Sequence, residues 1–264
     1  TRFAVFSKTG ATLLGPFAIS TLWANFGGDC ETHNNGDPIV NYDRINNRWV
    51  ISQFATNSGG PFSECVAVST TSDATAAYNR YQFNYGSDFI DYPKIGVWPD
   101  AYYVSYNTFN STNTAFLAAK ACALERAKML TGLPATQVCF QLSPSFSGLL
   151  PSDMDGSTLP PAGSPNFFLN FGSNSLNLWK FQVNFGVPAN STFIGPTTIP
   201  VAAFTPLCAG FFRGQCVPQP SPGTTLESLG DRLMYRLAYR NFVDHTALVV
   251  NHSISTGIRW YELR

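Results

Sequence analysis

The sequence predicts an all-β fold, because short aromatic strands separated by Asn-, Gly- and Ser-rich turns recur along the whole chain. Four times a polar corner carrying Asp or Asn turns into an aromatic strand, starting at residues 37, 93, 165 and 231. These starts lie 56, 72 and 66 residues apart. Repetition of a short-stranded unit at such a period is typical of a β-propeller, in which loops from every blade border a central channel. We therefore predict a β-propeller of about five blades.

The first two groups of strands are the clearest in the sequence. We predict strands at 38–42, 48–54, 65–70 and 78–85 for the first group, and at 94–98, 102–108, 115–123 and 135–142 for the second. Before the last of these strands, residues 124–130 favour a short helix that is stopped by Gly132 and Pro134. Each group thus supplies the four strands of one blade.

The rest of the chain combines further strands with two long loops. Strands are predicted at 166–170, 177–185 and 197–205 after a loop at 143–163, and at 232–239, 246–254 and 257–263 after a loop at 206–225. The final group lacks a fourth strand, and the N-terminal strands at 2–7 and 11–16 lack a blade. We therefore expect the N- and C-terminal strands to close the ring, which would hide the edges of their sheets.

Composition limits the class of function. Only 12% of the 264 residues are charged and the formal net charge is +0, so the sequence lacks the basic footprint of a protein that binds nucleic acid or an anionic membrane. No apolar run approaches the roughly 20 residues of a membrane span. We predict one domain over residues 1–264. Because the chain opens inside a predicted strand, we expect an upstream segment that has been removed or lies outside this sequence.

Cysteine usage favours an oxidising, extracellular setting. The six cysteines form no C-x-x-C pair and no cluster with histidine, which argues against zinc. Several disulfide pairings are possible, and sequence order favours Cys30–Cys65, Cys122–Cys139 and Cys208–Cys216. The alternative is six reduced cysteines in the core. Sequons that are compatible with secretion begin at Asn110, Asn190 and Asn251.

Carboxylates at the corners are candidates for catalysis. Asp37, Asp100 and Asp231 each precede or begin a predicted strand. In some five-bladed propeller glycosidases, carboxylates from successive blades serve as base, acid and pKa modulator. However, none of the five glutamates lies at a corner where a general acid is expected. Asp before a strand is also explained by hydrogen bonding within a turn, which is the structural alternative.

One loop is a candidate for calcium. The segment Asp153-Met154-Asp155-Gly156-Ser157 alternates oxygen donors and contains glycine, as a hard cation requires. It lacks the third donor and the distal Glu of an EF-hand, so that motif is excluded. A single structural calcium and a simple Asx-turn remain as alternatives, and we expect no other metal or cofactor.

Aromatic and basic side chains indicate a ligand surface. We predict that the tyrosines at the corners are exposed and stack on sugars, namely Tyr42, Tyr102, Tyr103 and Tyr106. The recurring tryptophans are assigned to packing between sheets. Arg232 and the other corner arginines would either pair with aspartates or bind an acidic sugar. In a uronate lyase, Arg232 would neutralise charge, and Tyr42 or His252 would act as the base.

Several segments resemble a family of uncharacterised secreted proteins, mainly bacterial. The resemblance rests on GDPIVNYDR at 36–44, YPKIGVWPDAYY at 92–103 and LGDRLMYRLAYR at 229–240, together with 121–130 and 161–166. It implies a secreted propeller that is often joined to other extracellular modules. It transfers no catalytic residue.

The function predicted from these features is extracellular recognition of glycans. The loops expected to carry it contain Asp37, Tyr42, Asp100, Tyr102, Asp155, Asp231 and Arg232. Glycans or extracellular proteins are the expected partners, and self-assembly is left open. The alternatives are a propeller-type glycoside hydrolase or polysaccharide lyase, and a structural subunit of an extracellular assembly. Convergent carboxylates in a concave site would favour hydrolysis.

Overall fold

A computed structural model describes residues 1–211, 214–221 and 223–264, and strands predominate in it. The predicted all-β class is therefore confirmed. Helical segments are short and occur at α1 (Gly28–Thr32), α2 (Arg126–Thr131) and two 3-10 turns, Ile19–Trp23 and Pro188–Asn190. Helix α2 lies in the predicted helical segment and ends at Gly132, whose φ of +75° is readily adopted by glycine.

The N-terminal strands form a hairpin of their own. Strand β1 (Arg2–Phe6) pairs with β2 (Thr12–Ala18), and these two strands make a separate two-stranded sheet. The expectation that N-terminal strands would join the last group and close a ring is therefore wrong. Ala11 and the short turn before it connect the two strands directly, so local pairing satisfies their backbone groups.

Two antiparallel meanders follow and match the first two predicted groups. The first contains β3 (Gly36–Asp43), β4 (Arg48–Thr56), β5 (Phe62–Ser69) and β6 (Tyr78–Asn84). The second contains β7 (Phe89–Val97), β8 (Tyr102–Phe109), β9 (Phe116–Leu124) and β10 (Gln137–Gln141). Strand β5 is buried at every position, because it is central in its sheet and covered on both faces.

The remaining strands form a seven-stranded sheet and a short hairpin. They are β11 (Leu150–Asp155), β12 (Asn166–Gly172), β13 (Ser175–Gln182), β14 (Thr192–Pro200), β15 (Gln215–Pro218), β16 (Thr225–Glu227), β17 (Met234–Asn241), β18 (Thr246–Ile254) and β19 (Gly257–Leu263). The order in the large sheet is β14-β13-β12-β11-β17-β18-β19, and β15 pairs with β16. Strands β11 and β15 fall in the two segments predicted as loops, so those predictions are corrected.

Strands from successive groups contact one another. Strand β3 packs on β7, β7 packs on β11, and β11 pairs with β17 in parallel. A Cβ atom at Gly96 of β7 would collide with the backbone of Ser152 in β11, so this close approach requires glycine. The β11–β17 pairing merges two groups into one curled sheet, and a closed ring of five blades is not shown.

The three predicted disulfides are confirmed. Cys30–Cys65 ties α1 to β5, Cys122–Cys139 links opposed residues of β9 and β10, and Cys208–Cys216 closes a short loop. They are consistent with folding in an oxidising environment.

A large aromatic cluster fills the space between the second meander and the seven-stranded sheet. It includes Trp98, Tyr103, Phe168 and Phe181, with Tyr239 packed edge-on against Trp98 at 4.6 Å between ring centroids. Within the described parts of the chain, no helix has the length and apolar character needed to cross a membrane.

Candidate functional site

Two clefts adjoin β3, one near its beginning and one near its end, and a hydrogen-bonded bridge separates them. The Tyr235 hydroxyl donates to Asn41 Oδ1 at 2.8 Å and to the Ile95 carbonyl at 3.1 Å. Asn41 Nδ2 donates to the same carbonyl at 2.8 Å. Burial raises the pKa of Tyr235 to about 12, so its hydroxyl remains a neutral donor at physiological pH. The bridge joins β3, β7 and β17 and closes the space between them.

The first cleft, which we call the Asp37 cleft, has a volume of 670 Å³. Its charged lining residues are Asp37, Asp91, Lys94, Glu227, Asp231 and Arg232. They come from the beginnings of β3 and β7 and from the segment that leads into β17. The cleft therefore collects three of the four polar corners that recur in the sequence.

Backbone irregularities aim two side chains at the Asp37 cleft. The register of β3 shifts between Gly36 and Ile39, and that of β7 shifts between Asp91 and Lys94. Within these bulges Asp37 has φ of +46° and Tyr92 has φ of +55°, a region costly for residues with side chains. Both residues precede a proline. Bulges and strained φ values are often found beside functional sites, where they redirect side chains.

Tyr92 is surrounded by cations in the Asp37 cleft. Lys94 Nζ lies 3.4 Å from the centroid of its ring, and Arg232 Cζ lies 4.8 Å from the same centroid. The Arg232 guanidinium also donates to both Asp231 carboxylate oxygens, at 2.6 and 2.9 Å. Because cations interact with the ring, Tyr92 is a poor platform for stacking a sugar.

Burial perturbs the titration of three groups in or beside the Asp37 cleft. It lowers the pKa of Lys94 to about 8 and raises the pKa of Asp91, which the nearby Asp37 carboxylate raises further. Behind the cleft, burial raises the pKa of Glu64 to about 8. Both Glu64 carboxyl oxygens are buried without a hydrogen-bond partner among the described residues. Perturbed groups of opposite type in one concave region are typical of functional sites.

The second cleft, which we call the Tyr42 cleft, has two adjoining lobes of 620 and 300 Å³. The larger lobe is lined by Tyr42, Arg44, Ile45, Asn47, Met154, Gly156, Ser157 and Leu159, and the smaller adds Val40, Asn41, Asp153, Asp155, Tyr235 and Arg236. It lies where β3 and β11 end. Hydroxyl, amide, carboxylate and guanidinium groups therefore surround two partly exposed tyrosines, Tyr42 and Tyr235.

Tyr42 is held in place in the Tyr42 cleft. Its ring lies 4.9 Å from the Trp49 ring on the paired strand β4, and its hydroxyl donates to Asn47 Oδ1 at 3.3 Å. The side chain retains 36% of its exposure. Arg44 next to it is exposed and forms no ion pair within the described ranges.

Arg236 links the two aspartates of strand β11. Its guanidinium lies 2.7 Å from Asp153 Oδ2 and also pairs with Asp155. The Val97 amide donates to Asp153 Oδ1 at 2.8 Å, so this carboxylate also connects β7 with β11. Burial raises the pKa of Asp153 to about 6. The predicted pairing of corner arginines with aspartates therefore holds between β17 and β11.

The structure separates the catalytic candidates. Asp37 and Asp231 line the Asp37 cleft, whereas Asp100 lines a different pocket beside Trp98 and Pro99. The Tyr103 hydroxyl donates to Asp100 Oδ2 at 3.2 Å, and burial raises the pKa of this carboxyl. The three aspartates thus do not share one cleft.

The ligand-binding candidates are likewise divided. Tyr42 and Asp155 meet in the Tyr42 cleft, and Arg232 lies in the Asp37 cleft. Tyr102 is fully buried and donates its hydroxyl to Asp43 Oδ2 at 2.8 Å. The prediction of exposure is therefore wrong for Tyr102, and equally for Tyr103 and Tyr106. All three lie on β8, which the neighbouring sheets cover on both faces.

Two further predictions concern the surface and metals. Asn190 is exposed, whereas Asn110 and Asn251 are half-buried, so Asn190 is the most accessible sequon. Across the described portion of the chain, no group of three or more His, Cys, Asp or Glu side chains could hold a metal. The single calcium stays a prediction. The two carboxylates proposed to bind it, Asp153 and Asp155, both pair with Arg236.

Sequence reasoning missed Asp91, Lys94 and Glu64 as site residues. A signal for the first two was present, since Asp91-Tyr92-Pro93 repeats the acidic, proline-containing corner of Gly36-Asp37-Pro38. Glu64 carries no such signal because it lies in the middle of a strand.

Comparison with known protein families, characterised proteins and solved structures gives no match. The resemblance to a family of secreted proteins therefore stays a prediction. Any assignment of function therefore depends on the structure of this chain.

Proposed function

We propose that this protein is an extracellular glycan-recognition module and that the Tyr42 cleft is its binding site. The observation that carries the proposal is the partly exposed Tyr42 ring, backed by Trp49 and surrounded by hydrogen-bonding side chains. A sugar ring can stack on the tyrosine while its hydroxyls reach Asn47, Ser157 and Arg44. The lobe volumes lie near the range of sites that bind small ligands. The contacts between strands of successive groups support a propeller-like arrangement with this cleft near its axis.

Charge favours a glycan with an acidic substituent. Arg44 is exposed and forms no ion pair with any described carboxylate, while Arg236 is shared between Asp153 and Asp155. An acidic sugar would therefore contact Arg44, while Asp153 and Asp155 would hold Arg236 in position. Guanidinium groups recognise carboxylate and sulfate through paired hydrogen bonds.

The test is a glycan array on the oxidised protein, with product analysis of every glycan that binds. We expect Tyr42→Ala to weaken binding at least tenfold, because removal of a central aromatic contact typically costs more than about 1.4 kcal/mol. Tyr42→Phe should retain most of the affinity. Phe17→Ala is the matched control, since Phe17 is an exposed aromatic on β2 that does not line either cleft. Equal binding by Tyr42→Ala and the parent protein would overturn the proposal.

The hydrolytic alternative depends on the Asp37 cleft. A glycosidase needs two carboxyl groups on either side of one sugar, and Asp37 shares its cleft with Asp91 and Asp231 rather than with Asp100. Cleaved products that disappear in Asp37→Asn would favour this function. Binding without cleavage would leave recognition as the function.

A role as a structural subunit is favoured by one edge of the large sheet. Strand β19 is the last in that sheet and exposes Ile258 and Trp260, at 67% and 65% of their surface. Exposed apolar side chains on an edge strand promote pairing between chains. Concentration-dependent sedimentation that is abolished by Trp260→Lys would support this function.

A further inference from the structure

We propose that Lys94 is a reactive amine that forms an imine with a small, neutral hydroxyaldehyde bound in the Asp37 cleft. The proposal concerns a different cleft from the glycan site and does not depend on it. It begins from the position of the lysine, which lines a solvent-accessible cleft at a bulge in β7.

Lys94 differs from the other lysines in its surroundings. Its ammonium group donates to the Pro93 carbonyl at 2.7 Å and lies against the Tyr92 ring, without an ion pair within the described residues. By contrast, Lys120 lies 2.7 Å from Asp88, and Lys128 lies 3.1 Å from Glu125. The remaining lysines, Lys8 and Lys180, are exposed. Lys94 is thus a half-buried lysine in a cleft, and no carboxylate in the described part of the chain forms an ion pair with it.

The charges around Lys94 come from β3, β5, β7 and the segment before β17. Burial has the largest effect and lowers its pKa to about 8; Asp37 of β3, Asp91 of β7 and Glu64 of β5 raise that pKa, and Arg232 lowers it. At pH 8 about half of the Lys94 side chains would therefore be neutral. A desolvated lysine beside another cation is a known arrangement for an amine nucleophile.

The reaction balances without a further reactant. The neutral amine adds to the aldehyde carbon, and a proton moves from nitrogen to oxygen to give a carbinolamine. Protonation of the carbinolamine hydroxyl releases water as the carbon–nitrogen double bond forms. Solvent can supply that proton and take one back from nitrogen, and Asp91, whose pKa is raised by burial and by the Asp37 carboxylate, lies in the same cleft.

The lining residues select the class of aldehyde. Four carboxylates line the cleft against two cations, since Asp37, Asp91, Glu227 and Asp231 accompany Lys94 and Arg232. This balance repels anionic oxo acids, and Arg232 is already occupied by Asp231. Carboxylates accept hydrogen bonds from hydroxyls, so a neutral hydroxyaldehyde fits the cleft better.

The experiment uses the other lysines of the parent protein as internal controls. The oxidised protein is incubated with glycolaldehyde, reduced with cyanoborohydride and mapped by mass spectrometry. We expect Lys94 to be labelled roughly tenfold faster than Lys8 at pH 7.5. The larger neutral fraction of Lys94 increases its labelling rate more than the lower nucleophilicity of a less basic amine decreases it. Its labelling rate should rise with a midpoint near pH 8. Equal rates for Lys94 and Lys8 would overturn the proposal without any variant.

Two further measurements separate a reactive site from simple exposure. Arg232→Gln should shift the labelling midpoint of Lys94 to higher pH, because the neighbouring cation is removed. Glyoxylate, an anionic aldehyde, should label Lys94 more slowly relative to Lys8 than glycolaldehyde does. A midpoint that does not move, or a preference for glyoxylate, would contradict the mechanism.

Discussion

The buried ion pair between Asp43 and Arg126 holds the corner of the Tyr42 cleft, and breaking it tests this organisation. The Arg126 guanidinium donates to both Asp43 oxygens, at 2.8 and 2.9 Å, and these side chains are 6% and 0% exposed. Arg126 also donates to Asn46 Oδ1 and the Pro99 carbonyl, and Tyr102 donates to Asp43. The network therefore links β3, α2 and β8 directly behind Tyr42.

Removing one partner leaves the other charge buried. We expect Asp43→Asn and Arg126→Met each to lower the free energy of unfolding by about 3–5 kcal/mol, as for other buried pairs. For a chain of this size the midpoint of thermal unfolding would fall by roughly 6–20 °C. The double variant should lose about 2–3 kcal/mol less than the sum of the single losses, because no uncompensated charge remains.

Urea unfolding followed by tryptophan fluorescence measures these differences. The control pair is Glu262 and Arg264, which lie 2.7 Å apart but are exposed. Breaking that pair should change stability by less than about 1 kcal/mol. If Asp43→Asn costs no more than Glu262→Gln, the reasoning from burial is wrong. A folded Asp43→Asn protein should also bind glycan more weakly, since Tyr42 and Arg44 flank the altered residue.

Three further predictions follow from particular contacts. Burial raises the pKa of Glu64 to about 8. As the pH rises from 4.5 to 8, the free energy of unfolding of the parent protein should therefore fall relative to that of Glu64→Gln, by about 1.4 kcal/mol per pH unit. Parallel pH profiles of urea unfolding for the two proteins would contradict this. Gly96→Ala should destabilise by about 1–3 kcal/mol because its methyl group meets the Ser152 backbone, and an unchanged urea midpoint would refute the close approach of β7 and β11. Replacing both Cys30 and Cys65 with serine should cost about 4 kcal/mol, as expected for a bond spanning 35 residues, measured as the thermal midpoint with the other disulfides intact.

The meanders could be predicted from sequence because their pairing is local. Strands β3 to β10 pair in sequence order within each meander, and alternation, aromatic content and turn residues are local signals. The disulfide Cys122–Cys139 could be predicted for the same reason, since its cysteines oppose each other on adjacent strands. Sequence order was sufficient for these features.

Strand β11 could not be predicted in this way. Its sequence, LPSDMD, contains proline and two aspartates and lies in a segment rich in turn residues. It becomes a strand because β12 and β17 pair with its two edges, and β17 lies about 80 residues later in the chain. Tertiary pairing thus overrides weak local propensity.

The candidate site was only partly predictable for a related reason. Polar corners indicated where Asp37 and Tyr42 would lie, because corners stay near the surface. They could not distinguish Tyr42 from Tyr102, since exposure depends on which sheets cover β8. Burial lowers the pKa of Lys94, and charges on β3, β5 and the segment before β17 modify that shift, a combination that no local pattern brings together.

The parallel pairing of β11 with β17 also has a consequence for the order in which the chain can fold during synthesis. The first two meanders contain all their own partners and can pair as soon as they have left the ribosome. One edge of β11 must wait until residues 234–241 have been made. Until then, the inner edge of the third group is open to other chains. The yield of native protein would therefore depend strongly on this region. It would change with a secretion pathway that delays its compaction or with a chaperone that covers it.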